Sequence, residues 1–440
     1  MYSSSVVSNP NERLVNNRVE NDLESSDDTL STQAKPVSRL LTRKLLLGVV
    51  VLFFLAGVSV VSYFLFSKYK MLNKFKRELD DHLTKDFPNL ERSKRDTCFD
   101  ELTRLFGDGF LSDDPKLEYE VYREFEEFNS KYNRRHATQQ ERLNRLVTFR
   151  SNYLEVKEQK GDEPYVKGIN RFSDLTEREF YKLFPVMKPP KATYSNGYYL
   201  LSHMANKTYL KNLKKALNTD EDVDLAKLTG ENLDWRRSSS VTSVKDQSNC
   251  GGCWAFSTVG SVEGYYMSHF DKSYELSVQE LLDCDSFSNG CQGGLLESAY
   301  EYVRKYGLVS AKDLPFVDKA RRCSVPKAKK VSVPSYHVFK GKEVMTRSLT
   351  SSPCSVYLSV SPELAKYKSG VFTGECGKSL NHAVVLVGEG YDEVTKKRYW
   401  VVQNSWGTDW GENGYMRLER TNMGTDKCGV LDTSMSAFEL

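Results

Sequence analysis

Three side chains far apart in the sequence have types and settings suited to acyl transfer: Cys253, His382 and Asn404. The cysteine lies in a run from Gln247 to Phe256 that reads QSNCGGCWAF. After it, WAFSTVGSVEGYYM sets Trp254, Val259, Val262 and Tyr266 on roughly one helical face. Cys253 is therefore expected at the N-terminus of a buried helix. There the unpaired N–H groups and the helix dipole favour thiolate over thiol, and a thiolate is the nucleophile that acyl transfer needs. Asn381-His382-Ala383 opens one predicted strand, and Asn404-Ser405-Trp406-Gly407 ends the next. Neighbouring antiparallel strands would set imidazole and carboxamide side by side, the histidine paired with the thiolate and the asparagine orienting the ring. With only 6 histidines in the chain, this placement is improbable by chance.

Other chemistries compete for the two cysteines. Cys250 and Cys253 have the spacing of a redox pair, but Trp254 follows the second cysteine instead of preceding the first, and no βαβ pattern surrounds them. Half a zinc site needs a second ligand pair, and Cys284 and Cys291 are too far apart to supply it, so no metal and no cofactor are expected. Residues 374–379, GECGKS, lack the first glycine of a phosphate-binding loop, because Phe372 stands there.

These residues have to be positioned by a chain of 440 residues, 39% hydrophobic and 28% charged. That is too apolar for general disorder and long enough for two or three domains. A net charge of +3 gives no electrostatic reason to expect nucleic acid. Of 9 cysteines, Cys98 stands alone and the rest fall between Cys250 and Cys428. Leu45–Phe66 carries no charge and is long enough to cross a bilayer, so it reads as a transmembrane helix. Basic residues flank it on both sides and leave its orientation open. Disulfides in the C-terminal part would require an oxidising compartment. Residues 1–44 then form a cytoplasmic tail and 45–66 a signal anchor. Asn206-Lys207-Thr208 is a glycosylation sequon consistent with a lumenal C-terminus.

Residues 67–112 read as a helical stalk or spacer. Residues 116–159 have helical period, with Phe125, Phe128 and Tyr132 and then Leu143, Leu146, Phe149 and Tyr153. Residues 186–228 show no periodicity and read as a linker. From Leu233 onward the composition shifts. AVVLVGEGYD, RYWVVQNSW and GYMRLER read as strands.

The run CGGCW, with GCQGG at 290–294, NHAVVLVG at 381–388 and NSWGTDWGENGY at 404–415, resembles the papain family of cysteine endopeptidases from Leu233 to the C-terminus. Gly252 stands where the family has Ser or Ala. The resemblance implies that Cys253 is the nucleophile, His382 the general base and acid, and Asn404 the orienting residue. Gln247 donates to an oxyanion hole, and Trp406 covers the His382–Asn404 hydrogen bond. It further implies disulfides Cys250–Cys291, Cys284–Cys323 and Cys376–Cys428. Cys354 is left over as a buried inert thiol, and Cys98 as a candidate for pairing between molecules. The pocket for the second residue before the scissile bond falls at Leu295, Leu296, Tyr357, Leu380, Ala383 and Thr433, which favours Leu, Val or Phe and gives Arg no carboxylate. Tyr357 is bulky for that place and shortens the pocket.

Upstream, Glu141, Arg145, Phe149, Asn152 and Val156 resemble the ERFNIN motif of the same family's propeptides, with Lys160 replacing the last Asn. Gly168, Asn170, Phe172 and Asp174 resemble their GxNxFxD motif. The resemblance therefore implies an α+β fold: a two-domain papain-like peptidase at 229–440, with a helical left domain and an antiparallel barrel-like right domain. An inhibitory propeptide at 113–228 precedes it. Acid protonation of Asp174 is expected to loosen the propeptide, and a cut near 220–232 to free the enzyme. Membrane anchoring together with such a propeptide is similar to the type II cysteine proteases of piroplasm and related apicomplexan parasites, which implies an acidic lysosome-like or food-vacuole compartment. Protein and peptide substrates and the chain's own propeptide are the expected partners, and the mature enzyme is expected to be a monomer. Two alternatives stand: a lumenal disulfide oxidoreductase using Cys250 and Cys253, and a catalytically silent binding protein on the same fold.

Overall fold

The computed structural model describes residues 39–187, 206–223, 232–421, 426–432 and 434–438. The chain divides into two units, Met1–Met71 and Leu72–Leu440. The described part of the first lies within α1 (Arg39–Asp86), whose apolar side chains from Leu47 to Phe66 are exposed. By length and composition this helix can cross a membrane. The cytoplasmic tail expected at 1–44 lies almost wholly outside the described residues.

The second unit begins with a helical bundle. Phe75, Leu79 and Leu83 of α1, with Cys98, Leu102 and Leu105 of α2 (Arg92–Gly107), share one apolar core with Tyr119, Phe125 and Phe128 of α3 (Pro115–Lys131) and Leu143, Leu146 and Phe149 of α4 (Gln139–Lys157). The segment read as a stalk is thus packed into the bundle, and Cys98 is buried in that core, which removes it as a partner for another molecule. Local signals set the helix ends. The Asp114 carboxylate accepts from the Lys116 and Leu117 N–H groups ahead of Pro115, and the Thr138 hydroxyl caps α4. Arg142 reaches Glu101 at 2.9 Å and also Glu126, and Arg150 holds the buried Glu118 at 2.6 Å.

Next come β1 (Tyr165–Lys167) and α5 (Glu177–Leu183), the latter opened by a Thr176–Glu179 capping box. The region read as a linker contains α6 (Lys207–Leu217), which buries Tyr209, Leu213 and Ala216 in the core of the sheet region. Its apolar stripe is short and interrupted by lysines, so the periodicity is hard to see against the surrounding Pro, Gly and Asn.

The C-terminal region sets α7 (Cys253–Phe270), α8 (Val278–Cys284) and α9 (Leu296–Tyr306) in one half. The other half is built on β2 (Ser335–Phe339), α10 (Lys342–Ser351), β3 (Cys354–Leu358), α11 (Pro362–Ala365), β4 (Tyr367–Phe372), β5 (His382–Asp392), β6 (Lys397–Gln403), β7 (Tyr415–Glu419) and β8 (Ser434–Phe438). The strands form one sheet ordered β1-β4-β7-β6-β5-β3-β8-β2, antiparallel except for the β4–β7 pair. The architecture is the expected α+β one. Helix α7 departs from the one-face expectation because it is buried nearly all round. Glycine permits this: a Cβ at Gly264 would lie 2.7 Å from Pro353 Cγ. The bonds Cys250–Cys291, Cys284–Cys323 and Cys376–Cys428 brace this region.

Candidate active site

Cys253 is the first residue of α7, with Gly252 as the cap. His382 opens β5, and Asn404 directly follows β6, its antiparallel neighbour. This pairing brings His382 Nε2 to 2.8 Å from Asn404 Oδ1. The N–H of Ala383, next to the histidine, is directed at the Cys253 sulfur, so the strand that carries the imidazole abuts the helix that carries the thiol. His382 Nδ1 is buried without a protein partner. Trp406 lies over the imidazole at 4.8 Å between ring centroids and is itself buried. Gln247 is buried too. Its Nε2 donates to the Cys250 carbonyl at 2.8 Å and its Oε1 accepts from Ser405 Oγ at 2.6 Å. The amide thus has one N–H left to offer.

The thiolate expectation does not describe this state. Burial pushes the Cys253 thiol up to about 12, although the N–H groups of Ala383, Trp254 and its own backbone pull it down. Burial likewise pushes His382 down to about 4, against the hydrogen bond that its Nε2–H donates to Asn404 Oδ1. Covered this way, the pair is a neutral thiol beside a neutral imidazole. Cys250 is bonded to Cys291, so it does not form a redox couple with Cys253. Cys354 is buried with its thiol donating to the Ser352 carbonyl, as expected for an inert residue.

The cover comes from the segment around 165–187. Strand β1 pairs with β4, Gly168 N–H donates to Lys366 O at 2.7 Å, and Asn170 Nδ2 donates to Ala365 O at 2.7 Å. Arg171 grips Asp246 through two bonds of 2.6 Å, and Phe172 meets Trp406 edge-on at 4.8 Å. Phe184 sits against both His382, at 5.3 Å, and Trp406, at 5.2 Å. Met187 N–H donates to Leu380 O at 2.7 Å, and its side chain packs in the cluster that holds Leu296, Tyr357, Ala383 and Leu380. Sequence reasoning missed Phe184, Met187 and the Arg171–Asp246 pair. The first two are lone apolar residues beside a linker, and the third becomes visible only when distant segments meet.

The motif residues around this cover have structural partners. Glu141 Oε2 accepts from Ala137 N–H, Arg145 binds Glu179 through two bonds and donates to the Asp174 carbonyl, Phe149 is in the core, and Asn152 donates to Ser173 O. Lys160 is exposed. Arg134 pairs with Asp174 at 3.0 Å. Burial nevertheless raises the Asp174 pKa, so the folded state binds that proton more readily than the unfolded chain. Acid therefore favours the folded cover at Asp174, the reverse of the expectation. Glu179 has the opposite sign. Arg145 and the Thr176 cap hold it at about 2, so its contribution is full above the ordinary glutamate value of 4.5 and is lost as the pH falls from there toward 2.

Of the residues assigned to the substrate pocket, Leu296, Tyr357 and Ala383 are buried together, and Leu295 and Leu380 lie at the margin. Tyr357 Oη accepts from the Leu296 N–H and donates to Glu297 Oε2, each at 2.7 Å, which fixes the ring. Thr433 lies outside the described residues. Asn206 caps α6: its Oδ1 accepts from Tyr209 N–H and its Nδ2 donates to His269 O.

Residues 229–438 match the papain family cysteine protease and residues 125–180 the cathepsin propeptide inhibitor domain (I29). The chain is 42% identical over 400 residues to a cysteine proteinase of Theileria annulata, covering 89% of this chain and 90% of that protein. It is 33% identical over 399 residues to falcipain-2a of Plasmodium falciparum, covering 86% and 79%. Among solved structures it is similar to a recombinant stem bromelain precursor, at TM-score 0.61 and 29% identity over 72% of this chain and 98% of that one. The proform of the ragweed pollen cysteine protease Amb a 11 gives TM-score 0.60 and 29% identity over 75% and 99%.

Proposed function

The chain belongs to the papain family of cysteine proteases, and we propose that it is the zymogen of a membrane-anchored endopeptidase whose nucleophile is Cys253. His382 acts as its acid and base, Asn404 holds the imidazole, and Trp406 keeps water from their bond. The observation that carries this reading is the convergence of Cys253, the Ala383 N–H and the His382–Asn404 pair under Phe184.

Removing the cover lets water reach both groups, and the burial that holds thiol and imidazole neutral is relieved. The thiol proton passes to His382, and the thiolate attacks the peptide carbonyl. The carbonyl oxygen takes up the negative charge against the Cys253 N–H and the free amide N–H of Gln247. The imidazolium gives its proton to the leaving nitrogen as the C–N bond breaks, leaving a thioester. Water, deprotonated by His382, hydrolyses it and regenerates the thiol.

The apolar run of α1, with its exposed side chains, supports a single-pass type II anchor. The three disulfides support a lumenal or extracellular peptidase. We place the maturation cut between Met187 and Asn206 rather than near 220–232, because α6 buries Tyr209, Leu213 and Ala216 in the peptidase core. The released enzyme works as a monomer in an acidic, lysosome-like or food-vacuole compartment. Packing of Met187 among Leu296, Tyr357 and Ala383 supports an apolar preference, Leu over Arg, for the second residue before the scissile bond.

The test is hydrolysis of a Leu-containing fluorogenic dipeptide by acid-activated protein, comparing wild type, Cys253→Ala and Cys250→Ala. Loss of turnover in the first variant, with weakened folding alone in the second, is the expected result. Insulin-disulfide reduction that needs both cysteines would instead establish an oxidoreductase, and silence in both assays a binding protein.

A further inference from the structure

Two carboxylates of the peptidase, Asp246 and Asp409, converge on the backbone of Gly407. A Cβ there would lie 3.3 Å from Asp246 Oδ2, 3.2 Å from Asp409 Oδ1 and 3.4 Å from Nη2 of the propeptide's Arg171. The glycine, at φ +81°, thus leaves room for a guanidinium between the two acids. Arg171 fills that room, with two bonds of 2.6 Å to Asp246 and its Nη2 3.8 Å from Asp409. A planar guanidinium gripped through both of its outer nitrogens is a directional arrangement, which a lysine cannot reproduce.

The peptidase holds these acids in place by itself. Gln247 N–H donates to Ser405 O at 2.8 Å, Gly407 N–H to Lys245 O at 3.1 Å, and Ser248 N–H to Asp246 Oδ1 at 2.7 Å. None of these bonds involves the propeptide. The adjacent cation, Lys245, is turned inward to the buried Glu263 at 2.8 Å. Among the described residues, Arg171 is the one cation in an ion pair with Asp246 or Asp409. Once the propeptide leaves, a formed site with two carboxylates remains and its counter-ion is gone.

The bound segment also shows where this site lies. Met187 packs with Leu296 and Tyr357, Phe184 lies on His382 and Trp406, and Phe172, next to Arg171, meets Trp406 edge-on. The acids are therefore across His382 and Trp406 from the apolar pocket. We propose that Asp246 and Asp409 form a guanidinium site which, in the released enzyme, takes an arginine side chain from the residues just after the scissile bond. The inference rests on the endopeptidase reading, in which His382 protonates the leaving nitrogen and the apolar pocket takes the residue before the bond. In the zymogen Arg171 blocks the acidic site as Met187 blocks the apolar one.

The experiment uses the acid-activated enzyme and internally quenched peptides with Leu as the second residue before the bond. Arg stands at the first, second or third position after the bond in turn, and a matched series has Gln there. At one of these positions kcat/KM for Arg should exceed that for Gln by about fivefold. In about 1 M salt the advantage should shrink below about twofold. The double variant Asp246→Asn, Asp409→Asn keeps an acceptor for the Ser248 N–H. It should lose the Arg advantage and still cleave a Leu-containing fluorogenic dipeptide, which has no residues after the bond, within about twofold of wild type. Equal cleavage of Arg and Gln peptides by wild type, an Arg advantage that salt does not reduce, or one that survives in the variant would each overturn the guanidinium site alone. Absence of dipeptide hydrolysis in wild type would overturn the endopeptidase reading and the site with it.

Discussion

In the propeptide bundle, Glu101 and Glu118 are buried against Arg142 and Arg150, and the single cysteine there, Cys98, is free. The peptidase also has buried carboxylates, Glu263 with Lys245 and Glu280 with Lys330. There, however, they pin loops over two apolar clusters that are braced by three disulfides. A helix bundle that depends on ion pairs fails once one partner is removed, because the remaining charge stays buried and unpaired. A cross-linked core keeps its unfolded state constrained whatever its charges do. The two regions are thus held by different means, buried ion pairs in the bundle and cross-links in the peptidase.

The most drastic test separates chemistry from architecture. Cys253→Ala should lower kcat by about 10⁴-fold or more while leaving both unfolding transitions of the zymogen in place. A shift of the bundle transition in calorimetry would show that the two regions are not independent. Next in size, Arg142→Ala should cost the bundle about 3–5 kcal/mol by stranding Glu101. The peptidase transition should not move, and equal loss from both would break the contrast. Replacing Cys284 and Cys323 together with Ser should cost the peptidase about 2–4 kcal/mol. Reductant should then have less effect on the peptidase and none on the bundle.

The smallest effects are those of pH, and each region has a histidine to show them. His269 is buried, stacked on Tyr209 of α6 at 4.8 Å, and held at about 4. Burial and the nearby Arg142 lower His136 in the bundle as well. For a histidine with a depressed folded pKa, the unfolded chain takes up the proton first. Its stabilising effect is therefore present above about pH 6.5 and declines as the pH falls toward the folded value. His269→Phe should flatten the stability of the mature enzyme between pH 6.5 and 4, and His136→Gln should flatten that of the bundle by less. Chemical denaturation across that range checks both. A steeper slope in either variant would reverse the assignment.

Much of this protein was readable from the chain itself. The chemistry of Cys253, His382 and Asn404, the strands around them and the helices at 116–159 follow from residue type and period, because those signals are local. The capping residues Asp114, Thr138 and Thr176 are local in the same sense. What the sequence did not reveal depends on surfaces that meet only in the folded chain. Burial of α7 on all sides, packing of residues 72–107 into the bundle, and α6 in place of a linker come from partners far away in sequence. The same holds for the site. Residue types show which groups react, but the burial that favours the neutral forms of Cys253 and His382 comes from the assembled surroundings, Phe184 against the imidazole among them, because desolvation is a property of those surroundings and not of the residue.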